Sequence, residues 1–284
     1  MAADESLSGW EEADYEPDLD EEDEEARPRD AVIDEAKDEI REFFERERTG
    51  VFYKQQLEVI FEDDYFHWIT SRALSELAAE GHLAAEAEAL PGVGNIILYR
   101  APTHRYWRRQ AQDIVELVTQ FSDPAFTAAL GAQGELMFDA ALPSAGFLPD
   151  GRNVRSYRGR DWGETEHTLD RVFVRDGIPY GAEIKNTLKY IPRKELKVKM
   201  RMCEHLGLRP LFIVRMAARS YINEVRLKGG YTLVFKYQLY PFGQKAFADK
   251  VKEALRLPTD SPARIAEGTV QRFLKWHQGR LPNG

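Results

Sequence analysis

The segment HTLDRVFVRDGIPYGAEIKNTLKYI, residues 167–191, decides the fold that we expect for this chain. Residues 168–175 and 180–185 within it have the composition and alternation of β-strands. Asp176 and Gly177 lie between them, and Asp-Gly is a strong signal for a two-residue turn between antiparallel strands. The segment therefore predicts a β-hairpin.

Three polar side chains are expected to converge on this hairpin. Alternation along the second strand directs Glu183 and Lys185 to one face and Ile184 to the other, and Asp170 lies on the paired strand. Two carboxylates on adjacent strands would bind a hard divalent cation such as Mg²⁺, with the Ile184 carbonyl as a further ligand. A nearby ammonium would orient the attacking water or stabilise charge on a phosphate.

The segments around the hairpin predict an α/β domain. Helices over residues 104–130 and 132–142 precede the hairpin, and the second of them contains Glu135. A second helix over 192–206 follows it, and strands are predicted at 210–215 and 231–237. These strands and the hairpin would form a mixed sheet.

This order of elements resembles the PD-(D/E)xK nuclease superfamily over about residues 130–238. The family pattern is a helix with an acidic residue, a strand Asp, a hairpin strand with Glu-x-Lys, then a helix and another strand. The positions that match it are Glu135, Asp170, Glu183 and Lys185.

The resemblance implies a restriction-endonuclease-like fold and a Mg²⁺- or Mn²⁺-dependent nuclease that hydrolyses phosphodiester bonds in DNA. It implies that Asp170 and Glu183 bind the metal, that Lys185 assists the attacking water and that Glu135 is a metal ligand or a supporting carboxylate. Leu169 stands where the family name has proline. The glutamine often found on the following helix is missing, and its neighbourhood contains Lys197, Lys199 and Arg201.

Two groups of basic residues are expected to contact nucleic acid. An arginine-rich loop interleaved with Tyr157 and Trp162 suits a backbone-tracking surface, and the helix after the hairpin presents basic side chains beside the metal site. The predicted contacts are Arg152, Arg155, Arg158, Arg160, Arg193, Lys194, Lys197, Lys199 and Arg201. The alternative is a solvated loop and helix face, just as an isolated Glu-x-Lys is usually a surface ion pair.

Charge is distributed unevenly along the chain, whose formal net charge is −9. Residues 1–30 contain fourteen Asp and Glu against two Arg, whereas residues 101–250 contain 24 basic against 16 acidic residues. The acidic, apolar-poor start is expected to be a disordered tail. It would act either as a solubilising segment or as a polyanion that shields the basic region from nucleic acid.

A small helical module is expected between the tail and the α/β domain. Helices are predicted over residues 31–48, 52–61 and 65–80, and short strands over 82–85 and 95–100. Three helices followed by two strands resemble a winged helix-turn-helix domain. Its acidic balance would neutralise phosphates poorly. Docking to protein or packing against the next domain is therefore as open as entry into a DNA major groove.

The domain organisation is therefore an acidic tail over residues 1–30, a winged-helix-like module over 31–103 and a nuclease-like domain over 104–284. A single cysteine, Cys203, excludes an internal disulfide framework and a Cys-cluster zinc site. No apolar run approaches a membrane span, and the start of the chain lacks the features of a signal peptide. We accordingly expect a cytoplasmic protein that does not contact membranes.

Two further hypotheses compete with the nuclease. One is a non-catalytic DNA-binding or protein-docking regulator on the same scaffold, in which replacing Lys185 would change little. The other is a structural component of a larger assembly with weak affinity for DNA. If the chain does cut duplex DNA, two sites are needed, which predicts a homodimer or a partner protein.

Overall fold

The computed structural model of this protein describes residues 29–91 and 93–281, which form a mixed α/β structure. The predicted acidic tail, residues 1–30, lies outside this part except for its last two residues, where the first helix begins. Among the described helices, none is both long and apolar enough to cross a membrane.

The described chain separates into two compact units. The first contains the residues up to Thr127 together with Glu253–Leu257, and the second contains Ala128–Lys252 and the residues from Pro258 onward. The sequence placed the boundary earlier, after residue 103.

The first unit is built from helices and a three-stranded antiparallel sheet with the order β1-β3-β2. Its elements are α1 (Arg29–Arg46), β1 (Val51–Tyr53), α2 (Lys54–Ile60), α3 (His67–Ala79), β2 (Ala84–Leu90), β3 (Gly94–Arg100) and α4 (Arg108–Phe121). Helices α1, α2 and α3 followed by the β2–β3 hairpin have the element order predicted for the winged-helix-like module.

Aromatic rings fill the core of the first unit. Phe43 contacts Phe44, Phe52 and Phe61 edge to face, with ring centroids 4.9 to 5.6 Å apart. The prediction that a helix begins at residue 52 is wrong, because Phe52 and Tyr53 pair with β3 and are buried in strand β1. The helix begins directly after this strand.

The second unit contains a five-stranded mixed sheet flanked by helices. Its elements are α5 (Pro124–Ser144), β4 (Leu148–Val154), β5 (Ser156–Tyr157), β6 (Arg160–Asp161), β7 (Leu169–Arg175), β8 (Ile178–Lys185), α6 (Arg193–Leu206), β9 (Arg209–Val214), α7 (Arg219–Leu227), β10 (Tyr231–Val234), β11 (Gln238–Leu239), α8 (Lys245–Leu255), β12 (Thr259–Asp260) and α9 (Glu267–Gln278). The first residues of α5 and the last residues of α8 are assigned to the first unit.

The main sheet has the order β10-β9-β8-β7-β4, in which β8 is central. Strands β4, β7 and β8 pair antiparallel, whereas β8, β9 and β10 pair parallel. The predicted mixed sheet is thus confirmed. So is the β7–β8 hairpin, whose turn residues Asp176 and Gly177 have φ of +49° and +75°, as a two-residue hairpin turn requires.

Two predicted element boundaries are wrong around residue 123. Helices were expected over residues 104–130 and 132–142, but α4 ends at Phe121 and α5 runs unbroken from Pro124. The Asp123 carboxylate accepts hydrogen bonds from the backbone N–H groups two and three residues later, at 2.9 and 3.1 Å. It therefore caps the new helix, with proline at the first helical position.

The predicted arginine-rich loop is also wrong, because its residues form the edge strand β4 and the β5–β6 ribbon. Strand β4 lies at the sheet edge and most of its side chains are exposed. Such a strand shows no alternation between apolar and polar residues, so its sequence is typical of a loop. The ribbon turns at Arg158 and Gly159, which have φ of +46° and +81°.

A buried asparagine connects the end of β8 to other parts of the second unit by hydrogen bonds. The Asn186 side-chain nitrogen donates to the carbonyl oxygens of Leu130 and Leu239, at 2.7 and 2.6 Å. Its side-chain oxygen accepts the N–H of Leu239 at 2.7 Å. Helix α5 approaches closely at Gly134, where a Cβ atom would lie 2.7 Å from the Asn186 Cβ.

We expect Asn186→Ala to lower the free energy of unfolding by about 3 kcal/mol or more, because it leaves two carbonyls and one N–H buried without their partner. Urea denaturation followed by circular dichroism measures this change. The matched control is Asn223→Ala, at an exposed position of helix α7, which should change stability by less than about 0.5 kcal/mol. Equal effects of the two substitutions would show that the Asn186 bonds do not stabilise the unit.

Candidate active site

The two predicted carboxylates lie side by side at one end of the β7–β8 hairpin. The strand pairing ends with Arg171 opposite Ala182, and the next positions outward are Asp170 and Glu183. Residues directly opposite each other in an antiparallel pair face the same side of the sheet. The backbone N–H of Ile184 donates a 2.7 Å hydrogen bond to Asp170 Oδ2 and fixes this carboxyl at the strand end.

Glu183 is at the centre of the site, and only 1% of it is exposed. Lys185 Nζ lies 3.0 Å from Glu183 Oε1, and Lys199 Nζ lies 2.6 Å from Oε2. A buried carboxylate needs such partners because it has lost its hydration. The structure thus brings Asp170, Glu183 and Lys185 together, while their metal-binding and catalytic roles stay predictions.

Lys199 does not lie on the exposed basic surface that the sequence predicted, since it is only 5% exposed. Its ammonium also donates to the carbonyl oxygen of Thr168. That placement was wrong because Lys199 shares the inward face of α6 with Leu196, Met200 and Cys203, all of which are buried. Lys199 therefore belongs to the carboxylate cluster.

Glu195 is a further site residue, and it was missed in the sequence. Its carboxylate lies 2.8 Å from Lys185 Nζ, so this lysine is shared between Glu183 and Glu195. The sequence did contain an indication of this role, because Glu195 and Lys199 are four residues apart on α6 and lie on one face of the helix. The site thus combines Glu-x-Lys from a strand with Glu-x-x-x-Lys from the next helix.

The electrostatics of the cluster shift the pKa of each group. Burial raises the pKa of Asp170, and burial together with the Asp170 charge raises the pKa of Glu183 to about 7. Burial favours the neutral amine of Lys185, but the carboxylates of Glu183 and Glu195 outweigh it and raise its pKa. Burial likewise opposes ionisation of Glu195, yet the hydrogen bond from Lys185 lowers the pKa of this carboxyl.

Glu135 contacts the site through Arg171, which is only 2% exposed. The guanidinium donates to Glu135 at 2.7 Å, to both oxygens of Asp139 at 2.8 Å and to the carbonyl oxygen of Asp170 at 2.7 Å. Within the described residues, no group of three or more Asp, Glu, His or Cys side chains is arranged to hold a metal ion. Glu135 is thus linked through Arg171 to the backbone carbonyl of Asp170.

The first group of predicted basic residues lies on strand β4 and on the segment after it. The end of β4 is close to the site, because Val154 pairs with Leu169, the residue before Asp170. Two of these arginines are paired with acids. Arg152 lies 3.1 Å from an Asp139 oxygen, and Arg155 lies 2.6 Å from an oxygen of Glu166. These pairs reduce the positive charge that the sequence suggested.

The other two arginines, Arg158 and Arg160, belong to the β5–β6 ribbon. The Arg158 guanidinium lies 5.0 Å from the ring centroid of Tyr157, a cation–π arrangement. Arg160 donates to the carbonyl oxygen of His205 at 3.3 Å. Both arginines are exposed, so they keep charged surface available to a ligand.

The basic residues predicted on α6 are only partly available. Arg193 lies 3.8 Å from a Glu224 oxygen, and Arg201 lies 3.7 Å from a Glu164 oxygen. Lys194 is exposed and Lys197 half-buried. The nucleic-acid contacts of these residues stay predictions.

The raised pKa of Glu183 makes stability depend on pH. Its folded value of about 7 lies above the ordinary value of 4.5, so the folded state holds this proton more tightly. The resulting stabilisation, about 3 kcal/mol, is fully present below pH 4.5 and is lost as the pH rises through 7. We expect Glu183→Gln to reduce this slope in urea titrations between pH 4 and 8, leaving the part that comes from Asp170, whose pKa burial also raises. Glu253→Gln, at an exposed position, should keep it, and an unchanged slope in Glu183→Gln would contradict the shift.

No protein-family model matches this chain, and no solved structure matches it significantly. Among curated proteins, malformin synthetase mlfA of Aspergillus brasiliensis is 34% identical over 86 residues, which cover 30% of this chain and 2% of the synthetase. The match thus spans a very small part of the length of that relative, and it does not establish a family for this chain.

Proposed function

We propose that this chain is a metal-dependent nuclease that hydrolyses phosphodiester bonds in DNA. The observation that supports it most is the cluster at the end of the β7–β8 hairpin, where the buried Glu183 lies beside Asp170 and 3.0 Å from the Lys185 ammonium. The resemblance of the sequence to PD-(D/E)xK nucleases supports the same function.

The donor set fits Mg²⁺ or Mn²⁺. Asp170 and Glu183 offer hard carboxylate oxygens. Burial raises both pKa values, and the Asp170 charge further raises that of Glu183, an unfavourable situation that a divalent cation would relieve. These two residues would hold the ion, with the Ile184 carbonyl as the further ligand that the sequence predicted. When bound, the ion would supply Lewis acidity at the phosphate and a lower pKa of water.

Lys185 would act as a fixed cation in this reaction. Its pKa is raised by Glu183 and Glu195, so its ammonium stays protonated at neutral pH. It therefore cannot serve as a general base, but it can orient the attacking water by hydrogen bonding and stabilise the negative charge that grows on the phosphate oxygens. Glu195 positions the ammonium by accepting its second contact, at 2.8 Å.

Cleavage of supercoiled plasmid and of labelled oligonucleotides with Mg²⁺ or Mn²⁺ tests the proposal. We expect wild type to cut, and Asp170→Asn and Lys185→Met to lose at least about 100-fold in rate, because each removes a charge used in the transition state. Lys275→Met makes the same chemical change as Lys185→Met at an exposed position of α9 and should cut like wild type. Cutting that survives both site substitutions would assign the activity to another site or to a contaminant.

A second candidate is a DNA-binding or protein-docking regulator that uses this scaffold without catalysis. The observation that favours it is that both Glu183 oxygens already contact ammonium groups and that Glu135 is paired with Arg171. A carboxylate cluster that is satisfied by internal cations needs no metal to be stable. Intact DNA binding with no cleavage of any substrate would support this candidate over the nuclease.

The β5–β6 ribbon provides a separate test of DNA binding. We expect the double substitution Arg158→Ala/Arg160→Ala to weaken binding and to reduce the slope of log affinity against log salt by about two, since each phosphate contact contributes about 0.9. Fluorescence anisotropy with labelled duplex DNA, in the Asp170→Asn background at several salt concentrations, measures both quantities.

The matched control for the ribbon is Arg264→Ala/Lys275→Ala, which removes two exposed positive charges elsewhere in the second unit. It should leave the salt slope close to that of the parent. If the two double variants change the slope equally, the ribbon makes no specific contribution to binding.

A further inference from the structure

The most unusual feature of the site is a second lysine, Lys199, which is only 5% exposed. Lys199 comes from helix α6, and Lys185 comes from strand β8. Lys199 Nζ lies 2.6 Å from Glu183 Oε2 and also donates to the Thr168 carbonyl. A lysine is almost never buried so completely without a charged partner, and here its partner is the central carboxylate of the site.

The charges of the cluster nearly balance, because the Asp170 charge interacts with the two lysines that pair with Glu183 and Glu195. Asp170, Glu183 and Glu195 bring three negative charges when ionised, and Lys185 and Lys199 bring two positive ones. One divalent cation would change the net charge of the cluster from −1 to +1, whereas two would change it to +3. Uncompensated charge is costly at buried positions, so the cluster favours a single ion.

The hydrogen bonds of the two carboxylates also favour a single divalent ion. One ammonium contacts each oxygen of Glu183, and Asp170 Oδ2 accepts the Ile184 N–H. Three of the four oxygens of the two carboxylates thus already accept a donor. An ion on Glu183 Oε1 would displace only Lys185, whose side chain is 32% exposed and keeps Glu195 as a partner. An ion on Oε2 would have to displace Lys199, whose side chain is 6% exposed.

We infer that Lys199 is a built-in cation that takes the place of a second metal ion, so that the site binds one divalent ion per chain. This inference rests on the proposed function, because it assumes that Asp170 and Glu183 hold the ion. Lys199 is a positioning residue here, since it acts on the ion through Glu183.

Binding of Mn²⁺ to the full chain, followed by electron paramagnetic resonance of the free ion, tests the inference. We expect wild type to bind one Mn²⁺ per chain. Lys199→Gln removes the charge and keeps a hydrogen-bond donor, so it should bind Mn²⁺ at least about tenfold more tightly because one repulsive charge is gone. Lys275→Gln is the control at an exposed lysine and should match wild type.

Two Mn²⁺ ions per wild-type chain, no saturable binding, or unchanged or weaker binding by folded Lys199→Gln would each overturn the inference. If Lys199→Gln does not fold, as thermal unfolding would reveal, the stoichiometry of wild type decides alone. Cleavage assays on the same samples separate the two proposals. One bound ion without cleavage leaves this inference standing and removes the nuclease, whereas cleavage with two bound ions does the reverse.

Discussion

The carboxylate of Glu183 is buried at the end of the central strand, where hydration is lost and only nearby cations can offset its charge. One of those cations, Lys185, comes from the same strand, but the other, Lys199, comes from helix α6. The helix must therefore pack with its Lys199 face on the sheet. A single buried charge thus constrains how the hairpin and the following helix are arranged, and it places Glu195 within reach of Lys185 as a consequence.

Buried polar contacts also stabilise the face of the sheet opposite Glu183. Arg171 connects the carboxylates of α5 to the backbone at Asp170, and Asn186 connects the end of β8 to α5 and to the strand at Leu239. These groups lie within a few residues of the site along the chain. Because a buried polar group is costly when its partner is lost, the same bonds that stabilise the second unit also fix the positions of the site residues.

The hairpin, the helix after it and the mixed sheet could be predicted because local signals determine them, such as the Asp176-Gly177 turn. The cluster of Asp170, Glu183 and Lys185 followed from strand alternation. The burial of Lys199 did not, since a lysine among other basic residues is usually solvated and only the neighbouring apolar stripe showed otherwise. The pairing of Arg171 depends on a helix distant in sequence, which no local pattern reveals.

The site is also compact along the chain, since its carboxylates and ammonium groups all lie between Asp170 and Lys199. They belong to one hairpin and the helix that directly follows it. Contacts between residues close in sequence cost less loop-closure entropy than contacts between distant segments. The charged cluster therefore costs less ordering entropy than a site assembled from residues far apart in the chain, and a change elsewhere in the sheet can reach it only through the hairpin or α6.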